Sequence, residues 1–220
     1  MTDKEADLRR DLVQTCRDMQ AKGLSKGTSG NVSVRSGDGF LISPTGIPYE
    51  DLHPDQVVQM RWDGSFDGPV LPSSEWRFHA DVLRTRNDLN AVVHSHSLNA
   101  TAVAILGRAI PPIHYLIAAA GGKDIRCTPY ATFGTQALAD LVVAAMVGRK
   151  ACILAHHGAI AANTSLAGAL KLAETVEELA ELYMKCLAVG EPPVLSADQI
   201  TEVLARFRTY GQQKPEPERA

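Results

Sequence analysis

Two histidines, His94 and His96, directly follow the apolar run Ala91-Val92-Val93, with a single serine between them. Successive side chains of a strand point to opposite faces, so these two imidazoles would share a face, about 7 Å apart along the chain. Imidazole is the commonest metal ligand near neutral pH, and a pair held in this way can bind one ion. The other interpretation is a pair of solvent-facing or hydrogen-bonded histidines, and the pair alone fits both.

A second apolar run ends in the same residue type, because ACILAHHG delivers His156 and His157 just before Gly158. Three imidazoles on a zinc ion leave one position for a carboxylate, a water molecule or a substrate, which is the arrangement of catalytic zinc sites. The repeated pattern therefore favours a metal site over an unrelated pair of histidines.

Glu75 is the candidate for a fourth ligand. It lies in the first turn of a predicted helix, for which Ser73 is the expected N-cap, and it is close in sequence to the first histidine pair. His79 follows one helical turn later on the same face and competes as a ligand by its spacing. The alternative is that His79 packs among the neighbouring aromatic side chains.

Three hydroxyl- and glycine-rich segments could bind an anion: Gly27-Thr28-Ser29-Gly30-Asn31, Ser43-Pro44-Thr45-Gly46 and Ser73-Ser74. Small residues let backbone N–H groups approach an oxyanion, and a helix N-terminus favours a phosphate group. Neither glycine-rich loop matches a nucleotide-binding pattern, which argues against a nucleotide ligand. A metal site beside such loops indicates a small phosphorylated substrate.

The composition fits one folded domain and excludes several classes of partner. The 220 residues are 45% hydrophobic with a net charge of −3, so neither nucleic acid nor an anionic membrane is an expected partner. The first twenty residues are charged throughout, and no apolar run approaches the roughly 20 residues that span a bilayer. The four cysteines are far apart, which is typical of reduced thiols. We expect a cytoplasmic protein.

Helical and extended patterns alternate along the chain. Helices are predicted over 5–22, from Ser73 to about Arg84, and over 135–148, 165–188 and about 197–209. Strands are predicted over 32–35, 39–43, 56–64, 89–97 and 151–158. We expect one domain over residues 1–211 and a polar tail over 212–220.

Seven segments in the same order resemble the class II aldolase/adducin family, from about Leu8 to Gly211. They are GTSGNVSVR, ISPTGIPYEDL, LPSSEWRFHADVLRTR, AVVHSHS, IPPIHYLIAAAGG, PYATFGT and HHGAIAAN. The resemblance implies a single α/β domain, with a mainly antiparallel central sheet flanked by helices. It also implies a homotetramer with active sites at the subunit interfaces.

The resemblance assigns a role to each site residue. It implies one Zn²⁺ ion per subunit on Glu75, His94, His96 and His157, with His156 either behind the ligands or structural. It implies catalytic roles for Glu75, which would leave the metal to transfer protons at a raised pKa, and for Tyr115 of a neighbouring subunit, at the aldehyde oxygen. The implied phosphate-binding residues are Gly30, Asn31, Thr45, Gly46, Ser73 and Ser74. Those implied at the aldehyde end are Phe133 and Tyr210.

The implied reaction is that of a lyase, the reversible cleavage of a ketose 1-phosphate to dihydroxyacetone phosphate and a short aldehyde. L-Fuculose 1-phosphate, a 5-deoxypentulose 1-phosphate and 5-methylthioribulose 1-phosphate all remain candidate substrates. A pentulose-phosphate 4-epimerase is an alternative, although it would carry aspartate in place of Glu75. A methylthioribulose-1-phosphate dehydratase and a non-catalytic adducin-type scaffold are the others, and a scaffold should have lost metal ligands or gained a long basic tail.

Overall fold

Six α-helices and seven strands make up residues 3–207, the part of the chain that this computed structural model describes. The helices are α1 (Asp3–Ala21), α2 (Trp76–Thr85), α3 (Leu98–Ile105), α4 (Gln136–Ala145), α5 (Leu166–Leu187) and α6 (Ala197–Phe207). The strands are β1 (Asn31–Ser36), β2 (Gly39–Ile42), β3 (Val58–Arg61), β4 (Ala91–Ser95), β5 (Arg126–Thr128), β6 (Ala151–Leu154) and β7 (Gly158–Asn163). Two short 3-10 helices span Pro54–Gln56 and Tyr115–Ala120.

All seven strands form one sheet, in the order β3-β2-β1-β4-β7-β6-β5. Each neighbouring pair is antiparallel except β5 and β6, which run parallel, so the sheet is mixed. The expected α/β fold with a mainly antiparallel sheet is confirmed. The parallel edge strand was not predicted, because three residues are too few to display an alternating pattern.

The central strand β4 divides the core between the two faces of the sheet. Ala91 and Val93 belong to an apolar cluster that includes buried residues of α1, α3 and α5. Val92 belongs to a second cluster, with buried residues of α2 and α4. Since side chains alternate along a strand, His94 points to the same side as Val92. The first histidine of the pair therefore faces helix α2, which begins directly after Glu75.

Three details of the predicted elements are wrong. The second helix begins at Trp76, and its N-cap is Glu75 rather than Ser73. Strand β4 ends at Ser95, so His96 lies beyond the strand. The strand expected over 151–158 ends at Leu154, because His156 adopts a left-handed conformation with φ of 56° and the chain turns back into β7.

The long helix predicted over 165–188 is confirmed as α5, and Ser165 caps it by accepting a hydrogen bond from the Gly168 N–H group. The last predicted helix is found as α6, which is described as far as Phe207. Tyr210 and the predicted tail over 212–220 lie outside the described residues.

Candidate metal centre

His94 is fixed by hydrogen bonding at one ring nitrogen and open at the other. Its Nδ1 lies 3.0 Å from the backbone oxygen of Ala159 on the neighbouring strand β7. A carbonyl oxygen only accepts, so Nδ1 carries the hydrogen and Nε2 keeps a lone pair. The ring is fully buried and lies edge-on to Phe78 of α2, with 5.4 Å between ring centroids. This geometry orients Nε2 as a ligand atom.

Two further imidazoles face His94. The Nε2 atoms of His94 and His96 are 2.8 Å apart, and the His157 ring lies 4.8 Å from the His94 ring and 4.9 Å from the His96 ring. The tight turn between β6 and β7 delivers His157, and Gly158 after it lets the strands approach. A Cβ atom at Gly158 would lie 2.4 Å from the Ser95 carbonyl oxygen and 3.1 Å from the His96 ring.

The Glu75 carboxylate completes the group. Its Oε2 lies 3.2 Å from His94 Nε2 and its Oε1 lies 3.2 Å from His157 Nε2. One ligand atom from each of Glu75, His94, His96 and His157 lies within 4.8 Å of the others. Glu75 Oε1 is buried without a hydrogen-bond donor, and two imidazole nitrogens face each other at contact distance. A cation bound among these atoms would satisfy all of them, so the residues fit a divalent metal ion.

The ionisation of these side chains also suits a cation. Burial raises the pKa of the Glu75 carboxyl, but the electrostatic and hydrogen-bond interactions with the His94 and His157 side chains outweigh burial and lower that pKa overall. The raised pKa expected for Glu75 concerns the carboxylate after it has left the metal, and it stays a prediction. Burial, with smaller effects of the adjacent His94 and His157, lowers the pKa of His96 to about 3, which keeps this imidazole neutral and able to bind metal.

A buried hydrogen-bond chain, which the sequence does not predict, extends from Glu75 into the protein. Asn31 Nδ2 donates to Glu75 Oε2 at 3.0 Å, and Asn31 Oδ1 contacts His79 Nε2. His79 Nδ1 lies 2.7 Å from Ser33 Oγ. His79 is therefore neither a metal ligand nor a merely packed ring. The period-2 pattern of β1 places Asn31 and Ser33 on one face, but nothing in the sequence shows which helix covers that face.

The predicted phosphate segments converge around Glu75. Asn31 and His94 are paired in register on β1 and β4, and Gly30 directly precedes β1. Gly30 has a φ of 78°, and a Cβ atom there would lie 2.7 Å from the His94 carbonyl oxygen, so this approach requires glycine. The turn over 43–46 is joined to the segment over 71–73 by two backbone hydrogen bonds, from Thr45 N to Leu71 O and from Ser73 N to Ser43 O.

The exposure of the predicted phosphate-binding residues differs. Gly30, Asn31 and Ser73 are buried, whereas the other three residues expected at the phosphate are exposed, as a bound ligand requires. These three are Thr45, Gly46 and Ser74. The Ser73 hydroxyl accepts a hydrogen bond from the Glu75 N–H group at 3.3 Å. Asn31 has one amide hydrogen left after its bond to Glu75.

A cleft of about 340 Å³ opens onto the metal cluster. Its lining consists of Ser74, Glu75, His96, Tyr130, Ala131, Phe133, His156 and His157. Phe133 is 63% exposed in this lining, and Arg77 holds its loop by donating to the Gly134 carbonyl oxygen at 2.8 Å. Tyr115 is not among the residues that line the cleft. It begins a 3-10 helix, is 48% exposed and lies beside Phe207.

Comparison with known proteins identifies the family of this fold and site. The family model described as the Class II Aldolase and Adducin N-terminal domain matches residues 10–184. The chain belongs to this family. A 5-methylthioribulose-1-phosphate/5-deoxyribulose-1-phosphate aldolase of Rhodospirillum rubrum is 52% identical over 212 residues, which cover 96% of each chain. An L-fuculose phosphate aldolase of Escherichia coli is 53% identical over 205 residues, which cover 93% of this chain and 95% of the relative.

Solved structures agree with the sequence relatives of this class II aldolase family chain. A structure of an L-fuculose 1-phosphate aldolase superposes with a TM-score of 0.89 at 36% identity, covering 92% of this chain and 96% of the other. The match covers nearly the whole described chain, so the two proteins share one fold. Within residues 3–207, no helix combines the length and the apolar character needed to cross a membrane.

Proposed function

We propose that this chain is a metal-dependent lyase that cleaves a ketose 1-phosphate reversibly to dihydroxyacetone phosphate and a short aldehyde. One observation carries the proposal: three imidazoles and a carboxylate converge beside a glycine- and hydroxyl-rich loop cluster, at the base of an open cleft. The names of relatives that cover more than nine tenths of the chain support the same reaction class. No observation on the described residues specifically favours the epimerase or the dehydratase reaction.

Zinc, one ion per subunit, is the metal that we propose for Glu75, His94, His96 and His157. A nitrogen-rich set of four ligand atoms is typical of zinc, and neutral imidazoles are the form that binds it. When bound, the ion supplies a Lewis acid for oxygen atoms of the substrate. His156 is exposed and its ring is not in the cluster of close ligand atoms, so it is left out of the set.

The chain's own side chains supply binding and proton transfer. We assign the phosphate end of the substrate to Gly30, Asn31, Thr45, Gly46, Ser73 and Ser74. Cleavage between C3 and C4 removes the C4 hydroxyl proton, makes C4 a carbonyl carbon and leaves the electron pair on C3, which then gains a proton. We assign that proton transfer to Glu75, which would take up the proton once it has left the imidazoles. Its position at the border of the loop cluster and the cleft supports the assignment.

The aldehyde end is assigned to Phe133 within the cleft and to Tyr115 from a neighbouring subunit, where Tyr115 would assist loss of the C4 proton. Tyr115 is exposed on its own subunit and does not line that subunit's cleft, which supports a shared site. Tyr210 stays a proposal from the family resemblance, as it lies outside the described residues. We further propose a homotetramer, working in the cytoplasm.

A coupled assay for dihydroxyacetone phosphate tests the function. The substrates are L-fuculose 1-phosphate, 5-deoxyribulose 1-phosphate and 5-methylthioribulose 1-phosphate, because relatives at nearly equal identity carry these names. We expect turnover of at least one, loss of turnover after dialysis against a chelator, and recovery with zinc. Inactivity on the whole panel with zinc bound would contradict the proposal.

A further inference from the structure

His79 is a fully buried histidine to which the proposed reaction gives no task. It stacks on Phe78 with 4.7 Å between ring centroids, and each of its ring nitrogens has a polar partner. Burial, with a smaller effect of His94, lowers the pKa of His79 to about 3, so the ring is neutral and only one nitrogen carries a hydrogen. Which nitrogen that is follows from its neighbours.

The direction of every hydrogen bond in the chain follows from the Glu75 carboxylate. An ionised carboxylate only accepts, so Asn31 must present its Nδ2 donor to Oε2, as it does at 3.0 Å. The Asn31 oxygen then faces His79, and because an amide oxygen only accepts, His79 Nε2 must carry the hydrogen. Nδ1 is left as the acceptor, and the Ser33 hydroxyl must donate to it at 2.7 Å.

Strand register holds this order in place. Ser33 and Asn31 are two residues apart on β1, so both side chains face the helix that carries His79. Asn31 is paired with His94, and Ser33 with Val92, on the central strand β4. The imidazole thus contacts two side chains of one rigid strand, and the Asn31 amide cannot rotate without breaking its bond to the ring.

We infer that His79 is a positioning residue for Glu75, and that Ser33 selects the Nε2–H tautomer by which His79 fixes the Asn31 amide with its donor toward the carboxylate. The acid/base task of Glu75 rests on the proposed function, whereas its fixed orientation beside the imidazoles rests on geometry alone. In the opposite tautomer the amide would turn its oxygen toward the carboxylate. Two acceptors would then face each other, and Glu75 would leave its place.

Nuclear magnetic resonance tests the tautomer directly. Long-range ¹H–¹⁵N spectra of the zinc-loaded, ¹⁵N-histidine-labelled protein distinguish protonated from bare ring nitrogens, and loss of one signal set in His79→Gln assigns His79. We expect a neutral ring with hydrogen on Nε2 and a bare Nδ1. Hydrogen on Nδ1, or on both nitrogens at pH 7, would overturn the inference.

Zinc affinity tests the positioning without reference to turnover. Removal of a residue that supports a metal ligand typically lowers metal affinity about 10- to 100-fold. Titration with a competing chelator should therefore give a zinc affinity lower by about that factor in His79→Leu, and a smaller decrease in Ser33→Ala. His79→Gln can still offer an N–H group to Asn31 and should lose less than His79→Leu. Ser33→Ala removes only a hydroxyl group from the core, so it should fold and can replace His79→Leu in this test if the latter does not fold.

Thr175→Val is the matched control, since Thr175 is buried in α5 and its hydroxyl donates a hydrogen bond to the Lys171 carbonyl oxygen of the same helix. It should bind zinc as wild type does. Unchanged zinc affinity in folded Ser33→Ala and His79→Leu would refute the positioning role. Wild-type protein that binds zinc but cleaves no ketose 1-phosphate would refute the proposed function instead, and the affinity comparison would still decide the inference.

Discussion

At the scale of single residues, the cluster is a set of side chains whose charges and lone pairs balance only around a cation. His94 donates through Nδ1 to the Ala159 carbonyl and keeps Nε2 bare, while one oxygen of Glu75 has no donor. A carboxylate buried in this way without a counter-charge would be costly. The proposed ion therefore acts on stability as well as on chemistry.

Metal content separates the two adjacent histidines. His157→Ala removes an imidazole that contacts Glu75 Oε1, so we expect loss of most of the bound zinc and of turnover. His156→Ala alters an exposed ring at the rim of the cleft and should keep one zinc per subunit. Elemental analysis of both purified variants checks the assignment, and zinc lost from His156→Ala alone would reverse it.

Glu75→Gln separates a ligand from a proton carrier. The amide keeps an oxygen and nearly the same volume but cannot shuttle a proton, so turnover should fall by about 10²- to 10⁴-fold while the histidines keep zinc. Wild type should exchange solvent deuterium into C3 of dihydroxyacetone phosphate without aldehyde, and Glu75→Gln should not.

Tyr115→Phe is the control for this exchange, since its proposed task lies at the aldehyde oxygen, and it should still exchange. The isotope content of dihydroxyacetone phosphate, read by mass spectrometry, reports both variants. Exchange that persists in Glu75→Gln and disappears in Tyr115→Phe would mean that the two roles are interchanged.

The buried His79 predicts acid sensitivity of the fold. Its pKa falls from 6.5 to about 3 on folding, first because of burial and then because of His94. Between these values the unfolded chain binds the extra proton, so stability is lost as pH falls below about 6.5, by about 1.4 kcal/mol per pH unit. Urea unfolding with chelator present should give a shallower pH dependence for His79→Gln than for wild type, and equal slopes would contradict this account.

At the scale of elements, the site forms where the start of β1, the end of β4 and the turn between β6 and β7 meet the start of α2. The sequence predicts the histidines at strand ends because apolar runs lead into them, and it predicts Glu75 near a helix start. It does not predict that Glu75 itself is the N-cap, because serine is the usual cap and Ser73 is available. Nor does it predict that α2 covers β1, since packing partners are set by the whole sheet order.

The close approach of β4 and β7 should be essential for metal binding. In Gly158→Ala the new methyl group would lie 2.4 Å from the Ser95 carbonyl oxygen, so the strands must separate and carry His94 and His96 with them. We expect weaker zinc binding and a lower melting temperature. Gly39→Ala is the control, because its methyl group would meet the Met60 carbonyl oxygen at 2.0 Å between β2 and β3. It should lower the melting temperature with zinc binding unchanged.

At the scale of the whole molecule, several large apolar side chains stay exposed on the described surface. They include Leu98 and Ile105 of α3, Leu106 directly after it, Tyr115 at the start of its 3-10 helix, and Tyr130 and Phe133 in the cleft lining. Apolar surface of this kind is typical of faces that bind another protein chain. It supports the proposed homotetramer. Composition alone does not show which apolar side chains stay exposed in the folded subunit.

Complementation tests whether the active site is shared between subunits. Glu75→Gln and Tyr115→Phe each remove one proposed catalytic group, so each alone should be nearly inactive. If Tyr115 acts in a neighbour's site, co-expressed variants should form mixed oligomers in which roughly a quarter of the sites are intact. Activity of the mixture, measured beside light scattering for the oligomeric state, decides the matter, and a mixture no more active than its parts would place both groups in one subunit.

Strand β4 is the middle strand of seven, bonded to β1 on one side and to β7 on the other. Tyr115 instead begins a short 3-10 helix outside the sheet. Proteins open first where backbone hydrogen bonds are few and exposed, and last at the centre of a sheet. With the proposed ion bound, gradual loss of structure would therefore displace Tyr115 before His94 lost the metal. Such a molecule would lack the proposed tyrosine in its site but would keep the metal-bound centre of the sheet, from which the rest of the fold could re-form.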